Sequence, residues 1–143
     1  MKKAVILALC LLVPAAPALA DRVIGIADGD TLTVLYDRRP LKIRLANIDA
    51  PEKAQPFGQI AKRSLAELCF GKNADVDVQT HDRYGRTVAE VTCPGVQVNR
   101  AQVERGMAWV YERYNKDRTT GLLQNEAKTA RRRLWSDAKA VPP

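Results

Sequence analysis

From Leu41 to Ala46 the chain alternates, with Leu41, Ile43 and Leu45 apolar against Lys42, Arg44 and Ala46, the period of a strand with one buried face. The predicted strand runs to Ile48 and puts Arg44 on the side away from its leucines. Two runs precede it. Arg22 to Ala27 is β-branched and interrupted by Gly25, Thr31 to Tyr36 alternates again, and Asp28-Gly29 between them is a strong turn signal. A polar turn from Asp37 to Pro40 joins the second run to the third, which predicts a three-stranded meander with Asp30 at a strand mouth. Ala50 precedes Pro51 and is biased away from helix, so Asp49 and Glu52 are expected on a bent loop.

Helical spacing follows. Pro56 suits a first helical position, and Phe57, Ala61, Leu65 and Leu68 recur at helical intervals until Gly71. Ala74, Val76 and Val78 then alternate with Asp75, Asp77 and Gln79. A further run, Thr87 to Cys93, lies beyond the turn-like His81-Asp82-Arg83-Tyr84-Gly85, so a second hairpin is predicted with Arg86 at its base. Asn99 is the expected cap of a short helix ended by Gly106, and Leu123, Ala127, Ala130 and Leu134 mark a last helix. Three strands, a helix, two strands and two helices predict a mainly β, α+β domain. The matching architecture is a five-stranded barrel of the oligonucleotide-binding (OB) type with three α-helices.

The first 20 residues change the picture of where this domain works. Lys2 and Lys3, an apolar run from Ala4 to Val13 and Ala18-Leu19-Ala20 have the form of a secretory signal, so residues 1–20 are read as a leader and 21–143 as one domain. Removing 20 of the 143 residues leaves 123, enough for one modest core. The expected protein is secreted or periplasmic, with no membrane-spanning segment after processing, and nothing in the pattern calls for more than a monomer. Export also bears on the cysteines, because Cys69 and Cys93 would remain where disulfides persist. They are expected to pair, closing a loop of about 25 residues worth roughly 3.5 kcal/mol in the chain-entropy model. Two separate buried thiols are the alternative.

The formal charge is +7, or +5 without Lys2 and Lys3, and arginine predominates among the cations. That suits bidentate binding of phosphate, although a basic surface also serves solubility. Asp30 and Asp49 are oxygen donors on loops, as a hard cation such as calcium or magnesium requires, while one histidine and a cysteine pair cannot build a zinc site. Taken alone, both aspartates are first of all turn formers. Glu52 could take a proton from an attacking water, and Arg44 and Arg86 could clamp one phosphate; a solvated carboxylate and two surface cations are the plainer readings. Tyr84, Tyr111 and Tyr114 are interleaved with Arg83, Arg113 and Lys116, a mixture that stacks bases, yet Trp109 and Tyr111 could equally be core. The Arg131-Arg132-Arg133 run is expected on the solvated face of the last helix.

Jointly, Asp28-Gly29-Asp30-Thr31, Arg44-Leu45 through Ile48-Asp49-Ala50-Pro51-Glu52, and Asp82-Arg83-Tyr84-Gly85-Arg86 resemble the staphylococcal nuclease-like (thermonuclease) family. The likeness continues through Asn99, Gly106-Met107-Ala108 and Leu134-Trp135-Ser136. The resemblance implies an OB barrel with three helices that hydrolyses DNA and RNA with calcium, leaving 3′-phosphates. It implies Asp30, Asp49 and the Ala50 carbonyl as Ca2+ ligands, Glu52 as general base, Arg44 and Arg86 on the phosphate, and Tyr114 on the substrate, where Tyr84 joins it as a stacking candidate from its basic neighbours. Single-stranded nucleic acid is the favoured partner. Against the prototype, Ala50 replaces a threonine, the Lys53 to Pro56 loop is shorter, Glu112 replaces a second stacking tyrosine, and the cysteine pair is new. A binding module on the same barrel without turnover is the alternative function.

Overall fold

The computed structural model describes residues 21–139 and Pro142; the expected leader lies outside the described residues. Strand β1 (Asp21–Asp28) pairs antiparallel with β2 (Thr31–Tyr36), and β2 pairs antiparallel with β3 (Arg39–Leu45), so the predicted meander forms. The chain does not continue as a strand to Ile48. It turns at Ala46-Asn47, where Asn47 takes φ 64°, and resumes as β4 (Ile48–Asp49). Asp49 is therefore held in a two-residue ladder against β8 (Trp109–Val110), and only Glu52 remains on a loop.

Helix α1 (Gly58–Cys69) follows, then β5 (Asn73–His81) and β6 (Thr87–Cys93), the second predicted hairpin. Strand β5 pairs with β1 through Asp21 and Ala74, and β6 runs parallel to β3 from Ile43↔Thr87 to Leu45↔Ala89, closing a five-stranded mixed barrel. The short β7 (Val96–Gln97) turns back to pair antiparallel with the end of β6 and leads into α2 (Val98–Glu104), while α3 (Arg118–Thr129) follows β8. Strand alternation is strict on β6, where Thr87, Ala89, Val91 and Cys93 are buried and the residues between them are not. Val23, Leu32, Val34, Ile43, Leu45 and Val91 fill the barrel, and Leu65 of α1 with Val98 and Val103 of α2 cover it. No described helix is long and apolar enough to cross a membrane.

Three helix boundaries differ from the sequence expectation, each for a local reason. Helix α1 starts at Gly58 because Phe57 takes a left-handed φ of 66°, which excludes Pro56 from the helix. Helix α2 is capped by Gln97, whose side chain accepts from Arg100 N; Asn99 lies inside the helix with its amide buried. Helix α3 ends at Thr129, since Arg131 and Arg133 take φ of 51° and 44°, and Leu134 belongs to a separate 3-10 turn, Arg133–Ser136. The arginine run is thus outside the last helix. Cys69 and Cys93 are joined, as expected, with Cα atoms 5.4 Å apart.

Asn99 Oδ1 accepts from Val91 N (3.0 Å), and its Nδ2 donates to Ala46 O (3.0 Å) and Ala89 O (3.2 Å). It ties the turn after β3 to β6. Ala89 O also accepts from Ala46 N (2.8 Å), so Asn99→Ala would remove the side-chain partner of Val91 N and Ala46 O, each costing about 1–3 kcal/mol. The expected loss is about 2–4 kcal/mol by urea unfolding, and a loss below 1 kcal/mol would assign the tie no weight.

Candidate active site

Asp30 sits in the turn between β1 and β2 and is almost fully buried. Its Oδ1 accepts from Thr31 Oγ1 at 3.0 Å, its Oδ2 accepts from Ala50 N at 2.7 Å, and Arg44 Nη1 lies 3.4 Å from Oδ2. The β-strand alternation of β3 delivers Arg44 there. Its Nη1 donates to Leu45 O (2.9 Å) and Ile48 O (2.8 Å), and its Nη2 to Asp49 Oδ1 (3.1 Å). Asp28 adds a third carboxylate, with Oδ1 accepting from Asp30 N at 3.1 Å.

This site holds more negative than positive charge. Burial pushes the Asp30 carboxyl up from 3.8 to about 7; the Arg44 charge opposes the rise and the Asp28 charge adds to it. Burial also raises Asp49, against Arg44 and an Asp30 hydrogen bond, with Glu52 and Asp28 adding to the rise. Among the described residues no three His, Cys, Asp or Glu side chains form a ready-made metal cage. Two crowded carboxylates served by one guanidinium still fit a hard cation whose other ligands are backbone oxygen and water. Added positive charge is what these two aspartates lack.

Glu52 follows on an exposed turn, where its N–H donates to Gln55 Oε1 (2.6 Å) and its carbonyl accepts from Gln55 N (2.8 Å). That turn packs directly on the start of α1, and a Cβ at Gly58 would collide with the Glu52 carbonyl. Beside the carboxylates opens a cleft of about 1010 Å³, lined by Arg44 and the Ala46–Ile48 turn on one side and by Asp82, Arg83, Tyr84 and Arg86 on another. Arg86 Nε donates to Asp82 Oδ2 at 2.6 Å, and its guanidinium stands 5.7 Å from the centre of the Tyr84 ring. Tyr111 and Tyr114 also line the cleft, their rings stacked at 5.3 Å and 13°.

A family model described as staphylococcal nuclease homologue matches residues 42–137. The chain belongs to the staphylococcal nuclease family. An uncharacterized endonuclease of Escherichia coli is 47% identical over 123 residues, covering 85% of this chain and 80% of that one. A micrococcal nuclease of Shigella flexneri is 41% identical over 147 residues, covering 93% and 84%. An uncharacterized endonuclease of Haemophilus influenzae is 42% identical over 123 residues, covering 85% and 69%. Membership implies a nuclease acting on nucleic acid, in a family that is generally metal-dependent.

Within this nuclease fold, Asp30, Arg44, Asp49 and Ala50 come together as one cluster, although Ala50 meets Asp30 through its N–H. Arg86, Tyr84 and Tyr114 share the adjoining cleft with Arg44, and Glu52 is close enough to Asp49 for its charge to act there. Tyr111 is not a core residue. It is 45% exposed and supplies a second aromatic beside Tyr114 where Glu112 does not. Trp109 is buried, in keeping with its core reading. In the sequence Gln102 reads only as the residue three positions after the expected cap Asn99. Fully buried, it donates to Gly29 O (2.7 Å) and Ala61 O (3.1 Å) and accepts from Ser64 Oγ (2.6 Å), fixing the Asp30 turn to both helices.

A carboxyl raised on folding contributes stability that is complete below its unfolded pKa and lost as pH rises through its folded one. For Asp30 that window runs from 3.8 to about 7. Metal-free protein in chelator is therefore expected to melt at a higher temperature at about pH 5 than at about pH 8. Asp30→Asn should remove most of that difference; thermal melts with an unchanged difference would dissociate it from Asp30.

Proposed function

We propose that the protein is an exported, calcium-dependent nuclease that hydrolyses phosphodiester bonds of DNA and RNA and leaves 3′-phosphate ends. One observation carries the reading: the charge-starved pair Asp30 and Asp49 lies beside a cleft whose walls hold Arg44 and Arg86. The disulfide suits the oxidising side of a membrane, where calcium is also available. Asp30, Asp49 and the Ala50 carbonyl would hold Ca2+, which when bound polarises a phosphoryl oxygen.

The residues of the chain divide the remaining work. Glu52, exposed and anchored through its backbone rather than its side chain, takes a proton from the attacking water. The water oxygen bonds to phosphorus while the bond from phosphorus to the 5′-oxygen breaks and that oxygen takes a proton from solvent, so the phosphate stays on the 3′ side and a 5′-hydroxyl leaves. Arg44 holds the carboxylates in place and lines the cleft beside the phosphate. Arg86, seated by Asp82, places a permanent positive charge against the charge that grows in the transition state. Tyr84, Tyr111 and Tyr114 offer faces on which unpaired bases stack, which favours single strands and needs only a monomer.

The deciding experiment incubates the protein with a single-stranded 30-mer in calcium and in chelator, with product ends identified by mass spectrometry. Cleavage to 3′-phosphates in calcium alone is expected; intact DNA that is still bound in both conditions would leave a binding module instead. Glu52→Gln and Arg86→Lys are each expected to lower kcat by about 10²–10⁴-fold with little change in melting temperature. Gly58→Ala, which touches no substrate, should cost about 10²-fold by displacing the Glu52 turn. Equal kcat in Gly58→Ala and the parent would show that the packing at Gly58 does not position Glu52.

A further inference from the structure

A second basic concavity of about 680 Å³ shares no lining residue with the cleft. Arg63 reaches it from α1, Arg105 from the end of α2, and Arg131, Arg132 and Arg133 from the segment after α3. Among the described residues Glu67 is the one acid in its lining; it stands 3.6 Å from Arg105 Nη1 with its side chain 74% exposed, which leaves four of the five arginines without an acidic partner in the hollow. Like charges brought into one hollow repel, so solubility alone does not account for the convergence.

The backbone enforces it. Arg132 is clamped: its N–H donates to Ala127 O (3.0 Å), its Nη1 to Glu104 O (2.9 Å), and its carbonyl packs so closely on Gly106 that a Cβ there would collide with it. Leu134 N donates to Gly106 O at 3.1 Å. To meet these constraints Arg131 and Arg133 adopt left-handed φ values that non-glycine residues take only at a cost. On the opposite side Arg105 Nη1 donates to Ser64 Oγ at 3.1 Å, and that buried hydroxyl is itself held by Gln102. The hollow is thus built on fixed parts, with exposed guanidinium groups at its rim.

We propose that this hollow is a second binding site for the sugar-phosphate backbone of nucleic acid, so that a long strand is gripped here while another part of it occupies the cleft. The inference rests on the nuclease reading for its ligand. Arginine forks match phosphate oxygens in pairs, as lysines do not. An anionic lipid surface fits less well, because the apolar lining is Ile60 and Met107, with Met107 buried, and offers no exposed apolar or aromatic wedge. Strands too short to reach both sites would not sense the hollow.

The test compares the parent with Arg63→Ala/Arg131→Ala/Arg133→Ala, first checking that melting temperatures agree. Binding is measured in chelator on a Glu52→Gln background with a fluorescent single-stranded 40-mer and a tetranucleotide. The triple variant is expected to bind the 40-mer about tenfold or more weakly at low salt, with a log–log salt slope smaller by about 2, and the tetranucleotide unchanged. An unchanged 40-mer affinity and slope, or an equal loss with the tetranucleotide, would overturn the second site. So would loss of binding to phosphatidylglycerol vesicles without loss of 40-mer binding. If the parent cuts nothing in calcium, the nuclease reading fails on its own, while the binding comparison, made without turnover, still decides the hollow. If the triple variant unfolds, Arg133→Gln and Arg63→Gln singly, each expected to weaken the 40-mer alone, replace it.

Discussion

Two amide side chains on α2 hold the loops at the working end of the barrel. Asn99 satisfies the backbone at Ala46, Ala89 and Val91, and Gln102 satisfies Gly29 and Ala61. Irregular backbone buried near a site has to find hydrogen-bond partners, and here a single short helix supplies them. The turn carrying Asp30 and the turn following Arg44 are therefore fixed from the same element. That arrangement allows carboxylates and a guanidinium to stay within hydrogen-bond reach without a strand ladder running through all of them. It also explains why α2, only seven residues long, is buried on so many positions.

The same rigidity maintains an electrostatic imbalance. Asp30 is buried with one N–H, one hydroxyl and one guanidinium at 3.4 Å as partners, and burial raises its carboxyl well above the usual range. A stability-optimised chain would have an amide there. The cost is localised in a few residues, and the Cys69–Cys93 crosslink, which joins the end of α1 to the end of β6, stabilises the scaffold on which they sit.

Much of this was legible in the sequence. Period-two runs and turn pairs mark the five barrel strands, whereas spacing alone leaves Asp30 and Asp49 as turn formers and Arg44 and Arg86 as surface cations, and only the joint resemblance to the nuclease family sets them in one site. Parallel closure itself leaves no local trace, because its partners are 44 residues apart, as Ile43 and Thr87 are. The helix ends were less legible for a similar reason. Asn99 reads as a cap locally but is worth more as a buried bridge to three backbone groups, and Arg131 and Arg133 are bent left-handed by a contact with Gly106 that no neighbouring residue announces. Tyr111 reads equally as core or as a stacking residue; its backbone bond to Asn47 O sets it at the cleft.

These tertiary features bear on how binding energy is distributed. The resemblance to the family implies a shortened loop after Glu52 and the loss of a stacking side chain at Glu112, and in the structure Tyr111 lines the cleft beside Tyr114. Contacts made equally to substrate and transition state govern affinity more than turnover, so they need not be near the reacting phosphorus. A chain that carries its arginines from α1, α2 and the segment after α3 into one hollow has a place to put such contacts. On the proposed reading, the cleft is then left to the few groups that meet developing charge, Arg86 above all, and retention of a long strand becomes the task of a different surface.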